Sequence, residues 1–236
     1  MSLTIRSRDG LALEAALDAP GDAKAVLVLC HPHPQMGGTM NAPLLLALRD
    51  EMVRREWAVV RFNFRGIGSS EGDSSTGIAE VADAGGAADF AAERFPSVPR
   101  AVAGWSFGAA VAVRLAAAEP GYVGCVAIAP AVTEKPGVTA GLPAADELGL
   151  SLPVLVVVGE NDSQVSPDEC SAWGAGAGAR VERIAGANHF FWAKYDDLSE
   201  LVGTWLDEKL EKGASTGFSR EIAHDPPRVS DTGKTN

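Results

Sequence analysis

A chain of 236 residues with 46% hydrophobic and 22% charged side chains carries enough apolar material for a sizeable core, and α/β folds often wrap that length around one sheet. Its 20 Lys and Arg stand against 31 Asp and Glu, a net charge of -11, so no basic stretch is available to neutralise phosphates and nucleic acid is excluded as a partner. No apolar run approaches the roughly 20 residues that span a bilayer, and the start Met1-Ser2-Leu3-Thr4-Ile5-Arg6 lacks the apolar segment of a signal peptide.

Residues 3–7 and 11–17 alternate apolar and polar side chains around Arg8-Asp9-Gly10. Asp-Gly between two such runs predicts a hairpin. Residues 25–30 are continuously apolar, the pattern of a strand buried on both faces. A helical pattern over 43–55 and a second buried strand at 58–62 follow. The alternation then repeats as helix 78–94, strand 101–103, helix 108–118 and strand 123–129. Strand 154–158, helix 167–173, strand 180–184 and helix 195–211 complete it. Such alternation implies parallel βαβ units in a doubly wound, mostly parallel sheet of about eight strands, with helices on both faces and the hairpin at one edge.

Two segments break this rhythm. Residues 133–150 are rich in Gly, Pro and Ala and weakly patterned, which predicts a small lid-like insert rather than a cap domain. From residue 213 onward apolar periodicity is lost, so the expected organisation is one domain over 1–212 and a polar, flexible tail over 213–236. The cysteines, Cys30, Cys125 and Cys170, form no closely spaced pair. An odd count in a chain without a signal peptide points to reduced thiols and a cytoplasmic location.

The chemistry concentrates at Gly104-Trp105-Ser106-Phe107-Gly108, which fits G-x-S-x-G between an expected strand and an expected helix. That strand–turn–helix setting is what a nucleophile elbow requires. Glycines flank it because the strand and helix backbones approach closely, and the helix N-terminus favours negative charge developing at Ser106. A serine hydroxyl needs a base, and histidine suits that task near neutrality. Of the four histidines, His224 lies in the polar tail and His31 and His33 follow an early strand. His189 falls between the last expected strand and the last helix, where an open parallel sheet gathers its functional groups. An acid must accept the other ring N–H. Asp162 lies just past the strand over 154–158, with Glu160 its nearest rival and Asp168 a weaker one.

Ser106, Asp162 and His189, in that order on this strand–helix alternation, resemble the α/β-hydrolase superfamily, and the similarity covers nearly the whole core. Cys30-His31-Pro32-His33-Pro34-Gln35-Met36-Gly37-Gly38 resembles the oxyanion loop of a small, lid-poor bacterial branch carrying HPHP-x-x-GG. Phe62-Asn63-Phe64-Arg65-Gly66-Ile67-Gly68-Ser69-Ser70 is similar to the superfamily's N/D-x-R-G-x-G-x-S turn. The resemblance implies a serine hydrolase; with the small insert over 133–150 suggesting an open site for small or medium acyl substrates, the expected reaction is cleavage of a carboxylic ester through an acyl-enzyme, with no cofactor. The expected oxyanion donors are the N–H of Phe107 and that of His33, because Pro32 and Pro34 have none to give. Gln35 and Met36 are weaker candidates.

His31 and His33 form an H-x-H pair, but no further Cys/His set accompanies it and no metal is expected. Arg65 is read as a brace between loops, with a substrate-carboxylate clamp as the alternative. Met36, Phe190, Phe191 and Trp192 are candidate substrate-binding residues, each equally open to a packing role. Thioesterase, amidase or peptidase, and acyltransferase chemistry use the same machinery. A non-catalytic binding protein on this fold is the rival from another class. Nothing in the sequence indicates an oligomeric state.

Overall fold

The computed structural model describes residues 3–215. Strands β1 (Leu3–Arg6) and β2 (Ala12–Asp18) pair antiparallel, as the alternation around Asp9-Gly10 predicts. Then come β3 (Ala25–Cys30), α1 (Pro43–Arg54), β4 (Trp57–Phe62), α2 (Glu80–Arg94), β5 (Arg100–Trp105) and α3 (Phe107–Ala118). The chain continues through β6 (Tyr122–Ile128), β7 (Val154–Gly159), α4 (Pro167–Gly176), β8 (Arg180–Ile184) and α5 (Tyr195–Ser215). The eight strands form one sheet in the order β1-β2-β4-β3-β5-β6-β7-β8. All neighbours from β4 to β8 are parallel, while β1–β2 and β2–β4 are antiparallel.

Period-two alternation divides the buried strands between two cores. On β3, Val26, Val28 and Cys30 face α2, α3 and α4, whereas Ala25, Leu27 and Leu29 face α1 and α5. Both faces of the central strands are therefore covered, which is why β3, β6 and β7 read as unbroken apolar runs and β4 does so but for the buried Arg61. No helix among the described residues is long and apolar enough to cross a membrane.

Several boundaries move, each for a local reason. Helix α2 starts at Glu80 rather than at residue 78, because the Glu80 carboxylate accepts from the N–H groups of Ser75 (2.6 Å) and Gly77 (2.9 Å) and folds the preceding loop onto itself. Helix α4 continues to Gly176 through its glycines; Trp173 anchors it in the core and donates Nε1–H to Pro143 O (3.0 Å), so packing overrides propensity. Helix α5 runs on to Ser215, placing the expected domain boundary after residue 212 inside a helix. The rest of the expected tail, 216–236, lies outside the described residues.

The insert over 133–150 has no helix or strand apart from a bridge between Lys135 and Thr139. Leu142, Leu148 and Leu150 pack against the core, and the Ala140 N–H donates to Thr76 O (2.8 Å). At the far edge of the sheet, β8 exposes Arg180 and Arg183, which pair with Glu182 and Asp168.

Candidate active site

Strand β5 and helix α3 meet at Ser106, which takes φ 57° and ψ −114°, a left-handed conformation that non-glycine residues adopt only under constraint. The constraint is backbone contact. The Ser106 N–H donates to Ile128 O (2.7 Å), and its carbonyl accepts from Ala109 (3.1 Å) and Ala131 (3.3 Å). The two motif glycines are required by space. A Cβ on Gly104 would lie 2.2 Å from Gly108 O, and one on Gly108 would lie 2.3 Å from His31 O. The glycines thus let strand, helix and the loop after β3 converge beneath one hydroxyl.

His189, on the loop between β8 and α5, is brought to that hydroxyl: Nε2 lies 3.1 Å from Ser106 Oγ. Its Nδ1 lies 2.7 Å from Asp162 Oδ2. A carboxylate only accepts, so Nδ1 carries the proton and the unprotonated Nε2 faces the serine. The Gln164 and Val165 N–H groups (2.8 and 3.0 Å) hold Asp162 Oδ1, leaving Oδ2 for the ring. Glu160 is exposed and accepts from Gly186 N–H (3.2 Å), while Asp168 pairs with Arg183. Neither rival carboxylate meets His189. Trp105, absent from the sequence expectations, donates Nε1–H to His189 O (3.1 Å) and ties the histidine loop to the elbow. Its signal was an aromatic residue immediately before Ser106.

The loop after β3 carries a turn of 3-10 helix, Pro34–Met36. Here the two weaker oxyanion candidates are already used: Gln35 N–H donates to His33 Nδ1 (3.2 Å) and Met36 N–H to His33 O (3.1 Å). The N–H groups of Phe107 and His33 donate to no protein acceptor among the described residues. His31 is fully buried; its Nδ1–H donates to Pro32 O (2.7 Å) and its Nε2 accepts from Phe64 N–H (2.9 Å). Burial pushes its imidazole down to about 4, so the ring is neutral. His33 Nε2 donates to Val138 O (3.0 Å), so every nitrogen of the H-x-H pair has a backbone partner. Among the described residues no group of three or more His, Cys, Asp or Glu is placed to hold a metal.

A cavity of about 650 Å³ opens above Ser106, with His33, Met36, Val138, His189 and Phe190 in its walls. Two of the candidate substrate-binding residues are corrected. Phe191 is fully buried in the core beneath α1 and α5 and does not line the cavity. Trp192 is exposed and stacks on the outer side of Phe190, ring centroids 5.0 Å apart, also outside the lining. Positive φ at Phe191 (52°) and Ala193 (58°) turns the chain so that the middle aromatic points inward and its neighbours outward. Arg65 is no substrate clamp: its guanidinium is buried against Asp83 (2.7 Å) and Asp9 (2.9 Å). The three cysteines are unpaired and buried. Cys170 lines the cavity, but burial pushes its thiol up to about 12, so it stays a neutral thiol.

The family model of Hydrolase_4, described as serine aminopeptidase, S33, matches residues 21–150. An uncharacterised protein of Rickettsia prowazekii is 32% identical over 195 residues, covering 78% of this chain and 79% of its own. A protein of unknown function from Agrobacterium tumefaciens superposes with a TM-score of 0.79 at 27% identity, over 90% of this chain and 97% of that one. A member of the α/β serine hydrolases without a lid, from Xanthomonas campestris, superposes with a TM-score of 0.74 at 27% identity, over 90% and 94%.

Proposed function

Because the chain belongs to the serine aminopeptidase S33 family of α/β hydrolases, we propose that it cleaves carboxylic esters of small or medium acyl groups through an acyl-enzyme on Ser106. The relay from Ser106 Oγ to His189 Nε2 (3.1 Å) and from His189 Nδ1 to Asp162 Oδ2 (2.7 Å) carries this reading. Ser106 Oγ attacks the carbonyl carbon while Nε2 takes its proton. Asp162 holds the tautomer and stabilises the imidazolium. The Phe107 and His33 N–H groups, uncommitted in the fold, receive the oxyanion. His189 then protonates the departing alcohol, and water repeats the sequence in reverse to release the acid. Arg65, Asp83 and His31 act at a distance, by holding the loops.

A fluorophosphonate probe tests this directly. Label on Ser106, lost together with p-nitrophenyl ester turnover in Ser106→Ala, is the expected result; a folded protein that takes no label overturns the reading.

The family description favours a second reading, release of an N-terminal amino acid. Such a site must neutralise a free α-amine. Among the cavity-lining side chains Glu169 supplies a carboxylate, and its Oε2 already accepts from the Thr133 hydroxyl (2.7 Å), which weighs toward esters. Aminoacyl p-nitroanilides beside p-nitrophenyl esters of matched acyl length separate the two: anilides turned over faster than esters install the peptidase.

A further inference from the structure

The side chain of one residue that supplies an oxyanion amide packs on the other. His33 packs its ring on Phe107, centroids 5.0 Å apart. On the loop side, its Nδ1 accepts from Gln35 N–H (3.2 Å) and caps the turn Pro34–Met36. On the other side, its Nε2–H donates to Val138 O (3.0 Å), on the insert that walls the cavity. These two bonds require opposite roles of the two nitrogens, so they fix a single neutral tautomer. The ring is buried, with 8% of the residue's surface left. The His33 carbonyl is engaged as well, accepting from Met36 (3.1 Å) and Gly38 (3.0 Å), which leaves the His33 N–H as its uncommitted backbone group.

We infer that the His33 side chain is the positioning group of the oxyanion hole: it aligns its own N–H with that of Phe107 and couples that alignment to the insert over the cavity. The inference rests on the hydrolase reading above. A donor displaced by about 1 Å from a developing oxyanion loses up to about a hundredfold in rate, and loss of a donor altogether costs roughly 10²–10³-fold. A ring that only fills space would instead change stability or substrate affinity.

Two variants separate the contributions. His33→Phe keeps a ring against Phe107 and loses both hydrogen bonds. His33→Asn keeps an acceptor suited to capping Gln35 N–H and loses the reach to Val138. The expected result for His33→Phe is a fall in kcat of roughly ten- to a hundredfold with KM within about threefold. His33→Asn is expected to recover part of that loss. A trifluoromethyl ketone, whose adduct with Ser106 places an oxyanion in the hole, should weaken in step with kcat/KM. Folded variants with kcat within about twofold of the parent, or a loss carried by KM alone, overturn the inference. If thermal melting shows His33→Phe to be unfolded, the same two readouts on His33→Asn decide. A parent protein that takes no fluorophosphonate at Ser106 overturns the hydrolase reading and this inference with it, whereas a labelled parent with indifferent His33 variants overturns the inference alone.

Discussion

The elbow that carries Ser106 and the insert over 133–150 face the same cavity but are held in place by different means. The elbow is fixed by backbone: strand β5, helix α3 and the loop after β3 approach so closely at Gly104 and Gly108 that a single methyl group has no room. The insert is held by scattered single ties: Thr133 to Glu169 (2.7 Å) and Lys135 to Gln164 O (3.0 Å) at the surface, Val138 O to His33 (3.0 Å), Pro143 O to Trp173 (3.0 Å) and one backbone bond from Ala140 N–H to Thr76 O (2.8 Å), with Leu142, Leu148 and Leu150 resting on the core. Backbone packing admits almost no variation, while exposed side-chain ties are individually weak and exchangeable. On the proposed reading the attacking serine therefore sits on the rigid part, and one wall of the cavity sits on the adjustable part.

The strongest test of that contrast lies within the relay. Asp162→Asn should lower kcat by about 10⁴-fold by favouring the wrong histidine tautomer, while Glu160→Gln, which touches only Gly186 N–H, should stay within about threefold. The reverse pattern in ester kinetics would relocate the acid. Next in size, Gly108→Ala drives a methyl against His31 O and Cys30 O and should cost roughly 2–4 kcal/mol in urea denaturation. An unchanged midpoint would mean that the elbow is softer than its geometry implies.

His31 supplies a pH test of the same region. Its folded pKa is lowered from 6.5 to about 4 by burial, so the unfolded chain binds the proton more readily than the folded one between those values. The contribution of neutral His31 is full above about pH 6.5 and is lost as the pH falls toward 4, a change of about 3 kcal/mol in unfolding free energy. His31→Gln should flatten that window in denaturation curves taken at several pH values; an equally steep decline would assign it to other groups. The smallest effect belongs to the insert. Thr133→Val removes the tie to Glu169 and should change stability by less than about 0.5 kcal/mol, moving KM for bulky acyl esters roughly two- to threefold. A stability loss above about 2 kcal/mol would place the insert with the rigid region.

The same contrast explains what the sequence displays. Elements whose position follows from periodicity are readable: the hairpin around Asp9-Gly10, the continuous apolar runs of β3 and β7, and a serine flanked by two glycines between strand and helix. Side-chain direction inside a turn is not, because tertiary contacts set it. Asp162 and Glu160 share one turn after β7, and only the approach of His189 on one side and Gly186 on the other tells them apart. Phe190, Phe191 and Trp192 look alike as a string, and two left-handed residues decide which of them enters the core. The insert has no periodicity to read; it follows a surface that other elements create.

The sheet also has to end somewhere. Strand β1 is only four residues long, and β8 closes the opposite side with Arg180, Glu182 and Arg183 along its length. An edge strand offers a row of unpaired N–H and C=O groups to any passing chain, and charges carried on it discourage that pairing. A foreign strand docking on β8 would have to displace the ion pairs of Arg180 with Glu182 and of Arg183 with Asp168. The charged border thus guards against polymerisation through the sheet, and replacing both arginines with valine would turn the same edge into a seed for aggregates.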